Sequence, residues 1–123
     1  MVEFEIRYKN TSNIIQNNVV LSVQLAKSLY LIPGTTYLMN GDYPNGHQVD
    51  TDAISANGII VGSYAPGAAA YIAFEVDTPA INDLRCGRNV LRSVDYAQPK
   101  GMDYFYNTAD IILTRPCPNP SSS

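Results

Sequence analysis

The chain has 123 residues, 46% hydrophobic and 15% charged, with a formal net charge of −3. That length fits a single domain, and a chain of this size buries enough surface to hold a core without a metal. The acidic balance and the scattered Lys and Arg argue against a nucleic-acid partner, which needs a clustered basic footprint.

Val2 to Tyr8 alternates apolar Val2, Phe4, Ile6 and Tyr8 with charged Glu3, Glu5 and Arg7, and Lys9 continues the charged set. Period two of this kind is a half-buried strand. Its outward charges, if it lies at a sheet edge, discourage pairing with a neighbour. Asn10-Thr11-Ser12-Asn13 supplies turn chemistry, since short polar side chains bond their own backbone. Asn10-Thr11-Ser12 is also a formal N-glycosylation sequon. Val19 to Leu25 reads as a second strand, and Leu29–Ile32 and Thr35–Met39 as strand pieces around a Pro33-Gly34 turn.

From Asn40 to Asn57 the chain turns polar and is punctuated by Gly41, Pro44-Asn45-Gly46, Asp50 and Asp52, the pattern of a long loop. Gly58 to Val76 then reads as strand, Pro66-Gly67 turn and alternating strand, which predicts a hairpin. Ala80 to Gly87 allows one helical turn. Asn89–Ala97 and Tyr104–Thr114 complete the strands, joined by a Gln98-Pro99-Lys100-Gly101 turn. Strands separated by turn signals every ~8–12 residues predict an all-β, two-sheet sandwich of seven to eight strands over residues 1–115. The Pro/Ser-rich residues 116–123 read as a tail or the start of a linker.

No apolar run approaches the ~18 residues of a membrane helix. Met1 leads straight into a strand with no signal peptide, so the chain reads as a module excised from a larger protein.

Chemistry-bearing residues are few. Cys86 and Cys117 are the only cysteines, and in an oxidising compartment they would pair. Such a bridge would join the start of one strand to the end of its hairpin partner. Two Cys alone do not make a metal site. The single histidine, His47, has no nucleophile motif beside it, so no catalytic residue and no cofactor is expected. Asp42, Asp50 and Asp52 make the long loop oxygen-rich and are the candidate calcium ligands, without the spacing of an EF-hand. Tyr43, His47 and Tyr64 mark a candidate ligand surface for a glycan or protein, within a larger set of strand tyrosines. A Lys-to-Asn crosslink would use Lys9 and Asn107. Lys9 is out of phase with the buried set and no acid is expected in phase with a core face, whereas such chemistry needs both a desolvated amine and a buried acid.

Several landmarks resemble the bacterial conserved repeat domain, the domains of unknown function, group eleven. They are Val2–Ser12 with Asn18-Val-Val-Leu-Ser-Val-Gln-Leu25, Leu31-Ile-Pro-Gly-Thr-Thr-Tyr37, Gly58–Val76 and Tyr106-Asn-Thr-Ala-Asp-Ile111, in the family's order. The resemblance implies an immunoglobulin-like Greek-key sandwich and a non-enzymatic structural or adhesive role. It also implies a place in a cell-surface or secreted bacterial protein, with other domains of the same protein as partners. The two cysteines and the long Asn40–Asn57 loop depart from the family pattern. The expected alternative is a carbohydrate- or protein-binding domain built on that loop.

Overall fold

The computed structural model of the chain describes residues 2–49, 54 and 57–118. Among them are nine strands: β1 Val2–Lys9, β2 Gln16–Gln24, β3 Tyr30–Leu31, β4 Tyr37–Met39, β5 His47–Gln48, β6 Ile59–Tyr64, β7 Ala69–Asp77, β8 Gly87–Gln98 and β9 Phe105–Arg115. Ile81–Asp83 forms a single 3-10 turn. The count exceeds the expected seven to eight because β3 and β5 are two-residue pieces. β5 lies inside the segment that the sequence presents as an uninterrupted loop.

All pairings are antiparallel. One sheet has the order β1-β7-β4-β5, with β3 also on β7; the other has the order β6-β2-β8-β9. The chain is therefore all-β, with two antiparallel sheets arranged as a sandwich. Ile6, Tyr8, Leu38, Ala70, Ile72, Phe74 and Val76 of the first sheet share one core with Val19, Leu21, Val23, Val61 and Tyr64 of the second. Except in β6, where Val61 and Tyr64 lie three apart, these are the alternating apolar positions of their strands, so period two decides which face goes inward. Fully burying a large aliphatic or aromatic side chain contributes about 1.5–3 kcal/mol, and this set supplies the main stabilising term. Phe4 and Phe74 tilt against each other with ring centres 5.6 Å apart. Tyr8 and Tyr64 meet edge to face across the two sheets at 5.3 Å.

Two departures from the expected pattern have local causes. The register between β2 and β6 shifts on either side of Val19, and Asn18 adopts a left-handed φ of 44°. That bulge puts buried Gln16 and Val19 three residues apart, which hides the first turn of β2 from a period-two reading. The Gly58–Val76 segment is not a hairpin. β6 belongs to the second sheet and pairs with β2, whereas β7 belongs to the first and pairs with β1, β3 and β4. The Pro66-Gly67 turn carries the chain across the core from one sheet to the other. Gly67 has φ 85° and Gly58 φ 86°. At Gly58 a Cβ would also fall 2.5 Å from Val20 Cγ1 and 2.9 Å from the Leu21 carbonyl, so glycine is required there on two counts.

β8 and β9 run longer than the rest of their sheet. β2 pairs with β8 only over Val94–Gln98, while β9 pairs with β8 from Gly87 to Ala97. The Gly87–Ser93 half is thus a two-stranded ribbon. Such ribbons are marginal alone. This one is closed at its end by a disulfide between Cys86 and Cys117, whose Cα atoms are 4.7 Å apart.

Candidate functional site

The structure brings Tyr43 and His47 together on one turn and ties buried Tyr64 to that turn through Asn40. Tyr64 is 6% exposed and belongs to the core. Its hydroxyl donates to the Val61 carbonyl at 2.6 Å and accepts from Asn40 Nδ2 at 3.0 Å. Burial pushes its pKa up, as it does for Tyr8. Of the expected Tyr43–His47–Tyr64 surface, Tyr64 therefore lies in the core and contributes only to the wall of a neighbouring cleft. The cause is the irregular pairing opposite β2. Val61 and Tyr64, three apart, both turn inward, with Gly62 at φ 108° between them.

Tyr43 and His47 do come together. Their rings stack at 4.4 Å with 17° between planes, and both side chains are exposed. Asn40 shapes the turn that brings them there: its Oδ1 accepts from the Asp42 and Tyr43 amides at 3.0 Å each. The cleft beside this turn is lined by Asn40, Gly41, Asp42, Gly62, Ser63 and Tyr64. Of the candidate calcium ligands, Asp42 is exposed in this turn, while Asp50 and Asp52 lie outside the described residues. Among the described residues no three His, Cys, Asp or Glu side chains cluster as metal ligands would. No helix among them is long and apolar enough to cross a membrane.

A second cleft, about 200 Å³, opens between the β1 edge and the inward faces of β8 and β9. Ile6, Tyr8, Gln16, Asp95, Phe105 and Asn107 contribute to its walls. Tyr8 donates a short hydrogen bond to Gln16 Oε1 inside the adjoining core. Asp95 pairs directly with Asn107 across the ladder and is in phase with the core face. Its carboxyl is pushed above the usual carboxylate range, chiefly by desolvation and partly offset by a backbone hydrogen bond. This corrects the expectation that no acid lies in phase with a core face; Ser93, Asp95 and Ala97 do not form an apolar set, so alternation does not mark their face as inward. Lys9 and Asn107 line the same cleft. Lys9 remains exposed on the outward phase of β1, so the desolvated amine that a crosslink needs is not provided.

The outer face of the second sheet carries aromatic and ionic rows. Tyr104 lies 5.5 Å from Tyr96 and 6.4 Å from Tyr106, ring to ring, and Tyr104 and Tyr106 are exposed. Further along, Arg92 holds Asp110 by two bonds, Nε to Oδ1 at 2.8 Å and Nη2 to Oδ2 at 3.0 Å. That bidentate contact lowers the Asp110 pKa.

Asn10 is fully buried, and its Nδ2 donates to the carbonyls of Ile14 and Tyr64, each at 2.8 Å. In the folded protein the sequon amide is therefore already engaged. No protein-family model matches the chain, and no curated protein matches it.

Proposed function

We propose that the chain is a non-enzymatic structural and interaction module of a bacterial surface or secreted protein, with an immunoglobulin-like topology. The strand order is the observation that carries this reading. With the two-residue β3 and β5 and the six-residue β6 set aside, β1-β7-β4 in one sheet and β9-β8-β2 in the other correspond to the B-E-D and G-F-C order of that fold, while β6, which pairs with β2 but follows β4 in the chain, departs from it. The scheme's first strand, which lies beside the position taken by β1, has no counterpart among the described residues. The landmarks shared with the conserved repeat domain support the same reading. The Cys86–Cys117 bridge suits an oxidising, extracellular setting.

A module that holds spacing should resist tension. Pulled between residues 2 and 118, the oxidised chain should give one rupture, with the residues between Cys86 and Cys117 held back. Reduction should then add about 110 Å of contour length, from a sequence separation of 31 at roughly 3.5 Å per residue. Gradual extension with no rupture would count against the role. A second reading is favoured by the Tyr43–His47 stack, which exposes a flat aromatic pair on a turn. On that reading Tyr43→Ala abolishes retention on a glycan or peptide array while the melting temperature holds.

A further inference from the structure

We propose that the open edge of β1 is a strand-addition site. It takes an extended segment of another polypeptide, paired antiparallel, with acidic residues preceding basic ones at alternate positions and apolar residues between them. This goes beyond the structural-module reading and stands on the edge and cleft themselves.

The direction of the backbone groups follows from β7. The Glu75 carbonyl accepts from the Ile32 amide at 2.9 Å, and the Glu75 amide donates to Thr35 Oγ1 at 3.0 Å. Both therefore face away from β1. Glu3 sits directly opposite Glu75, and antiparallel partners alternate between bonded and non-bonded pairs. The amides and carbonyls of Glu3, Glu5, Arg7 and Lys9 consequently point outward, while those of Phe4, Ile6 and Tyr8 serve β7. The Asn10 amide, which donates to the Ala68 carbonyl at 2.9 Å, keeps the same phase. No described strand pairs with the outward side of β1.

Beyond that edge lies a floor rather than open solvent. Phe4 and Ile6 face Ser93, Asp95 and Ala109 across a narrow gap, so β1 covers β8 and leaves β9 overhanging. The inward face of β9 is covered at Ala109 and Ile111 only in part and is open at its start, where Phe105 is 55% exposed. One strand laid beside β1 would occupy the cleft, bond four outward-facing residues and set its inward side chains on Phe105, Ala109 and Ile111.

The charges choose its direction and sequence. Read along β1, the outward side chains are Glu3, Glu5, Arg7 and Lys9, two negative then two positive. A parallel strand of like pattern sets equal charges side by side. An antiparallel one centred opposite Ile6 sets acid against base at all four positions, and directly opposed opposite charges stabilise a ladder. The ideal guest is thus a strand of the same pattern as β1 itself. A second folded copy cannot deliver it, because its own β8 would fall where β9 already stands. The charges that deter pairing in general therefore select one kind of pairing in particular.

The test uses the chain and two acetylated, amidated peptides: residues 2–9 (VEFEIRYK), and the same peptide with its two central charges exchanged (VEFRIEYK). The chain should bind the first about tenfold more tightly than the second by fluorescence anisotropy. The chain carrying Glu5→Arg and Arg7→Glu should reverse that preference. Both altered side chains are exposed, so folding is checked by an unchanged melting temperature. On binding, amide exchange should slow at residues 3, 5, 7 and 9 and not at 4, 6 and 8. Glu5→Pro, which removes only an outward amide, should abolish binding. Equal affinity for the two peptides, failure of the preference to follow the exchange, protection elsewhere on the chain, or no binding at millimolar peptide each overturns the proposal.

Discussion

Asn10→Ala should be among the most damaging single polar substitutions in this protein. The side chain is fully buried and saturated: Nδ2 donates to Ile14 O and Tyr64 O at 2.8 Å each, and Oδ1 accepts from Ser12 N at 3.0 Å and Ser12 Oγ at 2.6 Å. Alanine removes all four. Ser12 and Ile14 lie toward the surface and regain water, so their net losses are small. The Tyr64 carbonyl is buried and does not. Losing that bond costs about 1 kcal/mol, and stranding the acceptor adds roughly 1–3 kcal/mol. With the remaining bonds the total is about 3 kcal/mol. For a domain of this size that corresponds to a fall in melting temperature of roughly 10 °C. Urea denaturation should show a lower midpoint at an unchanged slope, since the surface exposed on unfolding is the same.

The isosteric Asn10→Asp separates hydrogen bonding from shape. Its second oxygen would face the two carbonyls that Nδ2 now serves, so only the protonated acid can donate there. The folded-state pKa would then be raised above the unfolded value of about 3.9. The folded state holds the extra proton, so stability must fall as pH rises through that value and continue falling until the folded pKa is passed. Near pH 3 Asn10→Asp should approach wild type, and near pH 7 it should be worse than Asn10→Ala. A loss below 1 kcal/mol for Asn10→Ala, or a pH-independent Asn10→Asp, would refute the reasoning.

Replacing Cys86 and Cys117 by Ser should cost about 3.7 kcal/mol by the chain-entropy relation for a separation of 31. If the Gly87–Ser93 ribbon frays locally, exchange at the Val90 and Ile112 amides will rise before the global transition moves. Asp95→Asn removes a partly desolvated carboxylate whose pKa is raised. It should therefore raise the melting temperature at pH 7 and leave it unchanged near pH 3, where the native acid is already neutral. Thr36 is fully buried and its Oγ1 has no partner among the described residues, so Thr36→Val should be neutral or stabilising by about 1 kcal/mol in chemical denaturation. Gly58→Ala should destabilise strongly, because it meets both a left-handed φ and the Leu21 carbonyl.

What the sequence made legible is what period two governs. β1, β7 and the centre of β2 each bury every second residue, and their inward sets are correct from alternation alone. The pairing of Cys86 with Cys117 followed from strand order around one hairpin. Legibility ended where a bulge broke the period, at Asn17-Asn18 and around Gly62, and this turned Tyr64 from a core residue into an apparent surface one. It ended again in the 40–57 segment, where two polar residues, His47 and Gln48, form β5 against Tyr37 and Leu38. Ile54 there is fully buried. A strand of two polar residues has no pattern to read.

The misread hairpin has a deeper cause. Turn residues dictate that a chain reverses, but pairing is decided by where each apolar face finds cover. Had β6 and β7 paired, Val61 and Tyr64 would lie in one sheet with Ala70 and Ile72 rather than opposite them. Instead the four residues between the strands arch over the core, and the arch is tied to a residue far away in sequence. The Gly67 amide donates to the Asn10 carbonyl at 2.7 Å, the Asn10 amide donates to Ala68 O at 2.9 Å, and the Asn10 side chain holds Tyr64 O. The Asn10-Thr11 turn and the Pro66-Gly67 turn, which the sequence presents as separate landmarks, are therefore one device. Each supplies hydrogen bonds to the other's backbone, and this accounts for a fully buried asparagine between two surface turns.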